Sequence, residues 1–410
     1  MMIHMQENLP DQNRMCDTAR PTLLTVGTCN RRAGTSVLIE SFLKHHPDGR
    51  AFVCLVDNPH PEMPPLDLSA ECFSADELSL PGGRRFLFKY DAYELCCALK
   101  PYALRYVFER YGPSAVLYLD SDILVTHAFW EDLMAAWETH SVLLTAHLLQ
   151  LPTEWPLERQ RLQVQHGAYN GGFVAVKSSE ETSSFLRWWS QVLERHCTFD
   201  PMKNLFVDQR WLDLVGASCP GVKVLRDPGL NAAHWNLHER QLQSSGAEQW
   251  TVNGTPLKFF HFSAFDPERL SRNLECTDCN ALILARHYSN LLKNAGQDYF
   301  ERFPYGGDFY VDGSAITAQE RDLILGDVPE LAGVDDPFAL PMMDKALRTA
   351  KRLANTMSPL RLGVRYRDIY RATELIDRLY RHPILGRAWR LWCRLVNPSL
   401  HPYTTPHARH

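Results

Sequence analysis

The chain has 410 residues, of which 45% are hydrophobic, 22% charged and 11% aromatic, and its formal net charge is -5. This composition belongs to a globular protein with a large core and excludes a disordered, collagen-like or coiled-coil chain. The acidic balance argues against nucleic acid as a general partner.

Residues 1–20 are polar, hold no apolar stretch of the kind that directs secretion, and read as a flexible leader. Thr22–Gly27 reads as a buried strand, and residues 35–45 have helical period. Residues 51–56 form a second all-apolar strand, closed by Asp57-Asn58-Pro59. Strand, helix and strand in that order, with strands apolar throughout, predict a parallel sheet covered on both faces. Residues 91–111 form one amphipathic helical stretch around Lys100-Pro101. Ala115–Leu119 is the third strand, and it runs straight into Asp120-Ser121-Asp122. Strands are expected at 142–146, 171–176 and 258–262. Helices are expected at 183–196, 205–215 and 281–294, and a hairpin at 305–316 with Asp312-Gly313 at its turn. Residues 335–341 read as a polar linker. From Asp344 the chain is helical and basic, with 14 Lys/Arg against 4 Asp/Glu; this net of +10 leaves -15 on the rest. No run approaches the ~18 consecutive apolar residues of a membrane-spanning helix. The eleven cysteines are odd in number and irregularly spaced, and several sit in apolar runs. They read as reduced thiols of a cytoplasmic protein, and the Cys276/Cys279 pair lacks two further ligands for zinc.

Two carboxylates two residues apart at the end of a buried strand need something to offset their desolvation. At the carboxyl end of a parallel strand they face the crevice where open α/β sheets bind ligands. Oxygen-rich sites of this kind suit Mg²⁺ or Mn²⁺ bound together with a phosphate. The bland reading is that Asp120 caps a helix and Asp122 is solvated. His261 ends an apolar strand and can serve as a third ligand or as a structural histidine. Gly171 and Gly172 allow close approach to a ligand or a positive φ. Asp208 and Gln209 open a helical segment, where Asp208 suits the helix N-terminus. Lys100 and Arg105 reach a diphosphate or remain solvated. Asn231, Trp235, Asn236 and Arg240 suit either sugar recognition or a buried structural role.

The order of elements and the Tyr118-Leu-Asp120-Ser-Asp122 motif resemble the nucleotide-sugar-dependent glycosyltransferases of the A-type fold, most closely their retaining family eight. Four further segments fit in order: Thr25–Thr28, Tyr169–Gly172, Val207–Gln209 and Phe260–Ser263. The resemblance spans roughly residues 21–267. His261-Phe-Ser-Ala264 departs from the family's His-x-x-Gly, and the tail has no counterpart.

The order of elements, together with the resemblance, gives an α/β catalytic domain over 21–335, with a mostly parallel sheet and helices on both faces; the basic helical extension over 336–410 is read from its own composition and lies outside the resemblance. The resemblance implies transfer of a hexose from a nucleoside diphosphate donor, a UDP-sugar above all, to a hydroxyl of a glycan or glycolipid, with retention. Asp120, Asp122 and His261 would hold Mn²⁺ or Mg²⁺. Gly27, Thr28, Asn30, Asp57, Lys100, Asp120, Ser121, Gly171, Gly172 and Ser263 would contact the donor, and Asp208, Gln209 and Asn170 would flank the reacting sugar. The rival readings are a sugar-phosphate nucleotidylyltransferase and a non-catalytic scaffold. The arginines of the tail, interleaved with Trp, Tyr and Leu, suit either packing on the acidic body or peripheral binding to an anionic membrane surface.

Overall fold

The computed structural model describes residues 20–65, 67–200, 203–246, 249–263, 279–326 and 331–339. The basic segment from Asp344, the leader to residue 19 and Cys276 lie outside the described residues.

The chain enters the main sheet with β1 (Thr22–Gly27), β2 (Arg50–Leu55), β3 (Glu71–Ser74) and β4 (Ala115–Leu119). A short β5 (Ile123–Val125) follows the Asp-Ser-Asp turn, and β6 (Val142–Ala146) and β7 (Tyr169–Lys177) return to the main sheet. Two-residue strands β8 (Phe199–Asp200) and β9 (Leu205–Phe206) pair with each other, and β10 (Val222–Leu225) closes the main sheet. Its order is β10-β6-β7-β4-β1-β2-β3. Four of its six pairings are parallel; β7 runs antiparallel to both β4 and β6. The sheet is therefore mostly parallel, as its apolar strands imply, with one reversed strand that hydropathy cannot orient.

Alternation along the strands divides the core. Leu24, Val26, Val116 and Tyr118 face one layer, built on the helices Ala92–Tyr111 and Glu180–Leu193. Leu23, Leu117 and Leu119 face the other, where Leu38, Ile39 and Phe42 of the helix Arg32–His45 meet Trp130, Leu133 and Trp137 of Trp130–Trp137. The long helix matches the stretch expected at 91–111. Asp91 accepts from the Glu94 backbone N–H in a capping box, and Gly112 ends the helix in the left-handed conformation (φ 62°).

A second sheet carries β11 (Ala232–Ala233). A β12–β13–β14 meander (Leu242–Gly246, Gln249–Val252, Thr255–Pro256) leads to β15 (Phe259–His261), which pairs parallel with β11 and antiparallel with β5. The strand expected at 258–262 thus exists but lies outside the main sheet. Three further differences are local. The helix expected over 205–215 begins at Gln209, after β9. The expected hairpin at 305–316 contracts to a single Phe309–Ala315 bridge behind a 3₁₀ turn. The described part of the linker expected at 335–341, to residue 339, instead packs: Phe338 meets Phe88 edge-on at 5.0 Å, and its carbonyl accepts from Val311 N. No described helix is long and apolar enough to cross a membrane. Seven cysteines among the described residues are free thiols.

Candidate metal and nucleotide-sugar site

The Asp-Ser-Asp turn joins the two sheets. Asp120 N donates to Gly172 O of β7 at 3.0 Å, and Phe262 N donates to Asp122 O at 2.9 Å. The β4–β7 and β5–β15 pairings therefore hold both carboxylates beside His261. One ligand atom from each of Asp120, Asp122 and His261 lies within 4.8 Å of the others. His261 Nε2 is 3.0 Å from Asp122 Oδ1 and 4.0 Å from Asp120 Oδ2. Burial disfavours the imidazolium, but Asp122 overcomes it and raises the His261 pKa above its ordinary value. In return, Asp122 is held below the usual carboxylate range against the effect of burial. The opposite ring nitrogen, Nδ1, lies 3.1 Å from Asn170 Oδ1 and 3.3 Å from Asn231 Oδ1. Two amide oxygens demand a proton on Nδ1, so Nε2 is the atom free to exchange its proton for a cation. The trio therefore fits a divalent ion with a hard, mixed O/N preference.

Lys100 is 2% exposed and anchors the floor of the cleft. Its Nζ lies 3.1 Å from Asp120 Oδ1 and 2.9 Å from Asp208 Oδ2, and it donates to Gly171 O at 2.9 Å. Burial works to lower its pKa, but the two carboxylates raise it well above the ordinary value, so the ammonium stays charged. The solvated reading holds for Arg105, which is half-buried and paired with Glu109, but not for Lys100. Burial raises the Asp208 carboxyl, with Lys100 opposing it. Asp208 sits at the start of the helix Gln209–Ser218 but makes no side-chain cap bond, so helix capping does not explain it.

Neither Gly171 nor Gly172 has positive φ; both are glycine for room. A Cβ on Gly172 would lie 2.4 Å from His261 Cε1, 2.8 Å from Asn170 Oδ1 and 2.9 Å from Asp120 Oδ2, and one on Gly171 would lie 2.5 Å from Asp208 Oδ2. Overpacking of this kind costs about 1–3 kcal/mol. Gly172→Ala is accordingly expected to lower stability by that amount in urea denaturation and to displace His261, Asn170 and Asp120. A variant as stable as wild type would show that the three side chains move aside freely.

Asn170 binds the layers together. Its Oδ1 accepts from Gly172 N at 3.1 Å, and its Nδ2 lies 3.4 Å from both Gln209 Oε1 and His147 Nε2. Gln209 in turn donates to His166 O at 2.8 Å. The one sequence signal for His147 is its place directly after β6, just as Asp120 follows β4. Its Nδ1 donates to Gly167 O at 2.9 Å, and burial pushes its pKa down to about 3, so the ring stays neutral. Of the Leu230–Arg240 segment, Trp235 lines the cleft and Asn231 steadies His261. Asn236 and Arg240 are buried on backbone carbonyls and are structural.

Two cavities flank the trio and share Lys100, Asp120 and Asp122. One, of about 520 Å³, lies at the β1 end and includes Gly27, Thr28, Asn30 and Ser121. The other, of about 560 Å³, includes Asn170, Gly171, Gly172, Asp208, Gln209 and Ser263, with His147, His166 and Trp235. Asp57 lines neither. Its carboxylate oxygens accept from Cys29 N at 2.8 Å and Gly306 N at 3.2 Å.

No family model matches the chain. It is similar to two uncharacterised proteins of Bacillus subtilis strain 168. YfnF is 29% identical over 180 residues, covering 43% of this chain and 58% of its own length. YfnD is 27% identical over 179 residues, covering 42% and 54%. The chain thus spans about half the length of these relatives. Among solved structures it is similar to the galactosyltransferase LgtC in complex with donor and acceptor sugar analogues, with 16% identity over 67% of this chain and 95% of that one, at a TM-score of 0.40. It is also similar to the glycosyltransferase GlyE of Streptococcus pneumoniae TIGR4, with 12% identity over 71% and 66% of the two chains, at a TM-score of 0.35.

Proposed function

We propose that this protein is a metal-dependent glycosyltransferase that moves a hexose from a UDP-sugar to a hydroxyl of a glycan or glycolipid, with retention. The observation that carries this reading is the Asp120–Asp122–His261 trio between two adjoining cavities of about 520 and 560 Å³. The β1-end cavity takes the nucleoside, against Gly27, Thr28, Asn30 and Ser121. The other takes the hexose, against Asn170, Gly171, Gly172, Asp208, Gln209 and Ser263.

Asp120, Asp122 and His261 would hold Mn²⁺ or Mg²⁺, which when bound would supply positive charge to offset that of the leaving diphosphate. Lys100 lies between Asp120 and Asp208 and offsets the charge of both, with one carboxylate on the metal side and the other on the sugar side. Asp208 stabilises positive charge as it develops at the anomeric carbon, and the burial of its own side chain strengthens that effect. Asn170 and Gln209 orient the sugar hydroxyls. Two of the groups around the sugar cavity are poorly placed as bases: burial holds the His147 ring neutral with a depressed pKa, and Asp208 is paired with Lys100. This supports retention, in which the departing phosphate itself takes the acceptor proton.

The test is a nucleotide-sugar screen by thermal unfolding with and without Mn²⁺, followed by an assay of product. A donor at ~100 times its Kd adds about 2.7 kcal/mol of stability. We expect one UDP-hexose to stabilise the protein only with Mn²⁺ and to release UDP slowly. Pyrophosphate made from UTP and a sugar phosphate would replace this reading with a nucleotidylyltransferase, and binding without any turnover would replace it with a scaffold.

A further inference from the structure

The turn after β1 is tied to a segment some 270 residues further along the chain. Asn30 Nδ2 donates to Phe303 O at 3.1 Å, and Arg31 pairs with Glu301. Asp57 grips both sides at once, through Cys29 N and Gly306 N. The segment is anchored beyond these ties. Buried Arg321 donates to Gly307 O at 2.6 Å and to Phe88 O and Tyr90 O at 3.0 and 2.8 Å. Gln297, Glu301 and Asp308 of the same stretch line the β1-end cavity opposite Thr28 and Asn30.

We propose that residues 297–308 form a strap that completes the nucleoside end of the cleft, and that Asp57 is the positioning residue that latches it. This rests on the donor site proposed above and deepens it: Asp57 acts on donor affinity through the strap and not by touching the donor. One carboxylate holding two backbone amides fixes the distance between the strap and the β1 turn, and therefore the width of the cavity. Charge-assisted bonds to backbone N–H groups are among the stronger hydrogen bonds of a protein. An asparagine at this position keeps the shape and retains a single acceptor oxygen, so one of the two amides loses its partner. The Arg31–Glu301 pair is exposed and contributes less.

The experiment compares the full chain with Asp57→Asn and Glu301→Gln. Hydrogen–deuterium exchange of peptides spanning 300–309 reads the latch without reference to any ligand, because local opening exposes those amides. We expect exchange there to be about tenfold faster in Asp57→Asn and about threefold faster in Glu301→Gln, with unchanged exchange in β4 and β7. In Mn²⁺, Kd for UDP and KM for the donor should rise about tenfold in Asp57→Asn, with kcat within threefold of wild type. Glu301→Gln, whose side chain also lines the cavity, is read by exchange alone, and should speed it at 300–309 even if Asp57→Asn folds poorly. Unchanged exchange at 300–309 in both variants overturns the latch. A fall in kcat without a rise in KM overturns the claim that Asp57 acts on donor affinity. Failure of the wild type to bind any nucleoside diphosphate overturns the proposed function and this claim on affinity together, and the exchange data then report on the latch alone.

Discussion

Asp122→Asn is expected to lower hexose transfer, or donor hydrolysis in its place, by more than about 100-fold at saturating Mn²⁺, with little change in the unfolding midpoint. Loss of a group that merely orients a ligand costs ~10–100-fold in metal affinity or activity, and Asp122 is placed to be a ligand itself. The amide has the volume of the carboxylate, so the packing at the β5–β15 junction is kept, and its backbone carbonyl still accepts from Phe262 N. What it lacks is the charge that faces His261 Nε2 at 3.0 Å. Without that charge the His261 imidazolium loses its main support, and a cation loses one of two carboxylates. Steady-state rates across a Mn²⁺ titration, with circular dichroism melts as the control, check this. Activity within threefold of wild type would remove Asp122 from the metal site.

The second expected result concerns stability. Lys100→Met should destabilise the protein by about 3–5 kcal/mol at neutral pH, because it leaves Asp208 as a buried carboxylate with no cation to offset its desolvation. Methionine fills much of the same volume, so the loss is electrostatic. The sign of the pH dependence follows from Asp208. Burial raises its folded pKa above the unfolded value, and removing Lys100 takes away the opposing influence. A carboxyl raised in the folded state binds its proton there in preference to the unfolded chain. Stability therefore falls as pH rises through the interval between the two values. The deficit of Lys100→Met should be largest at neutral pH and shrink on acidification toward the ordinary carboxylate range. The Lys100→Met/Asp208→Asn double variant should recover part of the loss, since both partners of a buried pair are then neutral. Urea denaturation at several pH values measures this. A deficit that does not change with pH would show that Asp208 is not the group left stranded.

Much of this site can be read in the chain itself. Thr22–Gly27 and Ala115–Leu119 are buried throughout because both faces of their strands are covered, and Ala115–Leu119 ends on carboxylates that an apolar strand would not hold. That is enough to put Asp120 and Asp122 at the carboxyl edge of a sheet. His261 is legible by the same logic, as a histidine closing a short apolar run. The pairing of Asn170, Gly171 and Gly172 with the site is what the family resemblance implies, and the need for glycine is one of room and not of backbone conformation.

Other features have no local signature. Whether β7 runs parallel or antiparallel depends on its neighbours, and its reversal is what brings its amino end, with Asn170–Gly172, to the carboxyl end of β4. β11 and β5 have two and three residues, too few to show a period, yet they give β15 its place. A lysine on a long amphipathic helix looks solvated by default. Lys100 is buried because Asp120, Asp208 and Gly171, which lie 20 to 108 positions away, supply three partners that together offset its desolvation. Asp57 likewise reads as a turn residue after β2, and only the return of the chain at Gly306 gives its second oxygen a donor. Hydropathy and turn residues act over a few positions, so the sequence by itself determined the strands, their buried faces and the carboxylates at their ends. Ion pairs and backbone bonds between distant segments depend on distances that exist after folding, so only the tertiary structure decided which charges are buried, which strand is reversed and what closes the nucleoside end of the cleft.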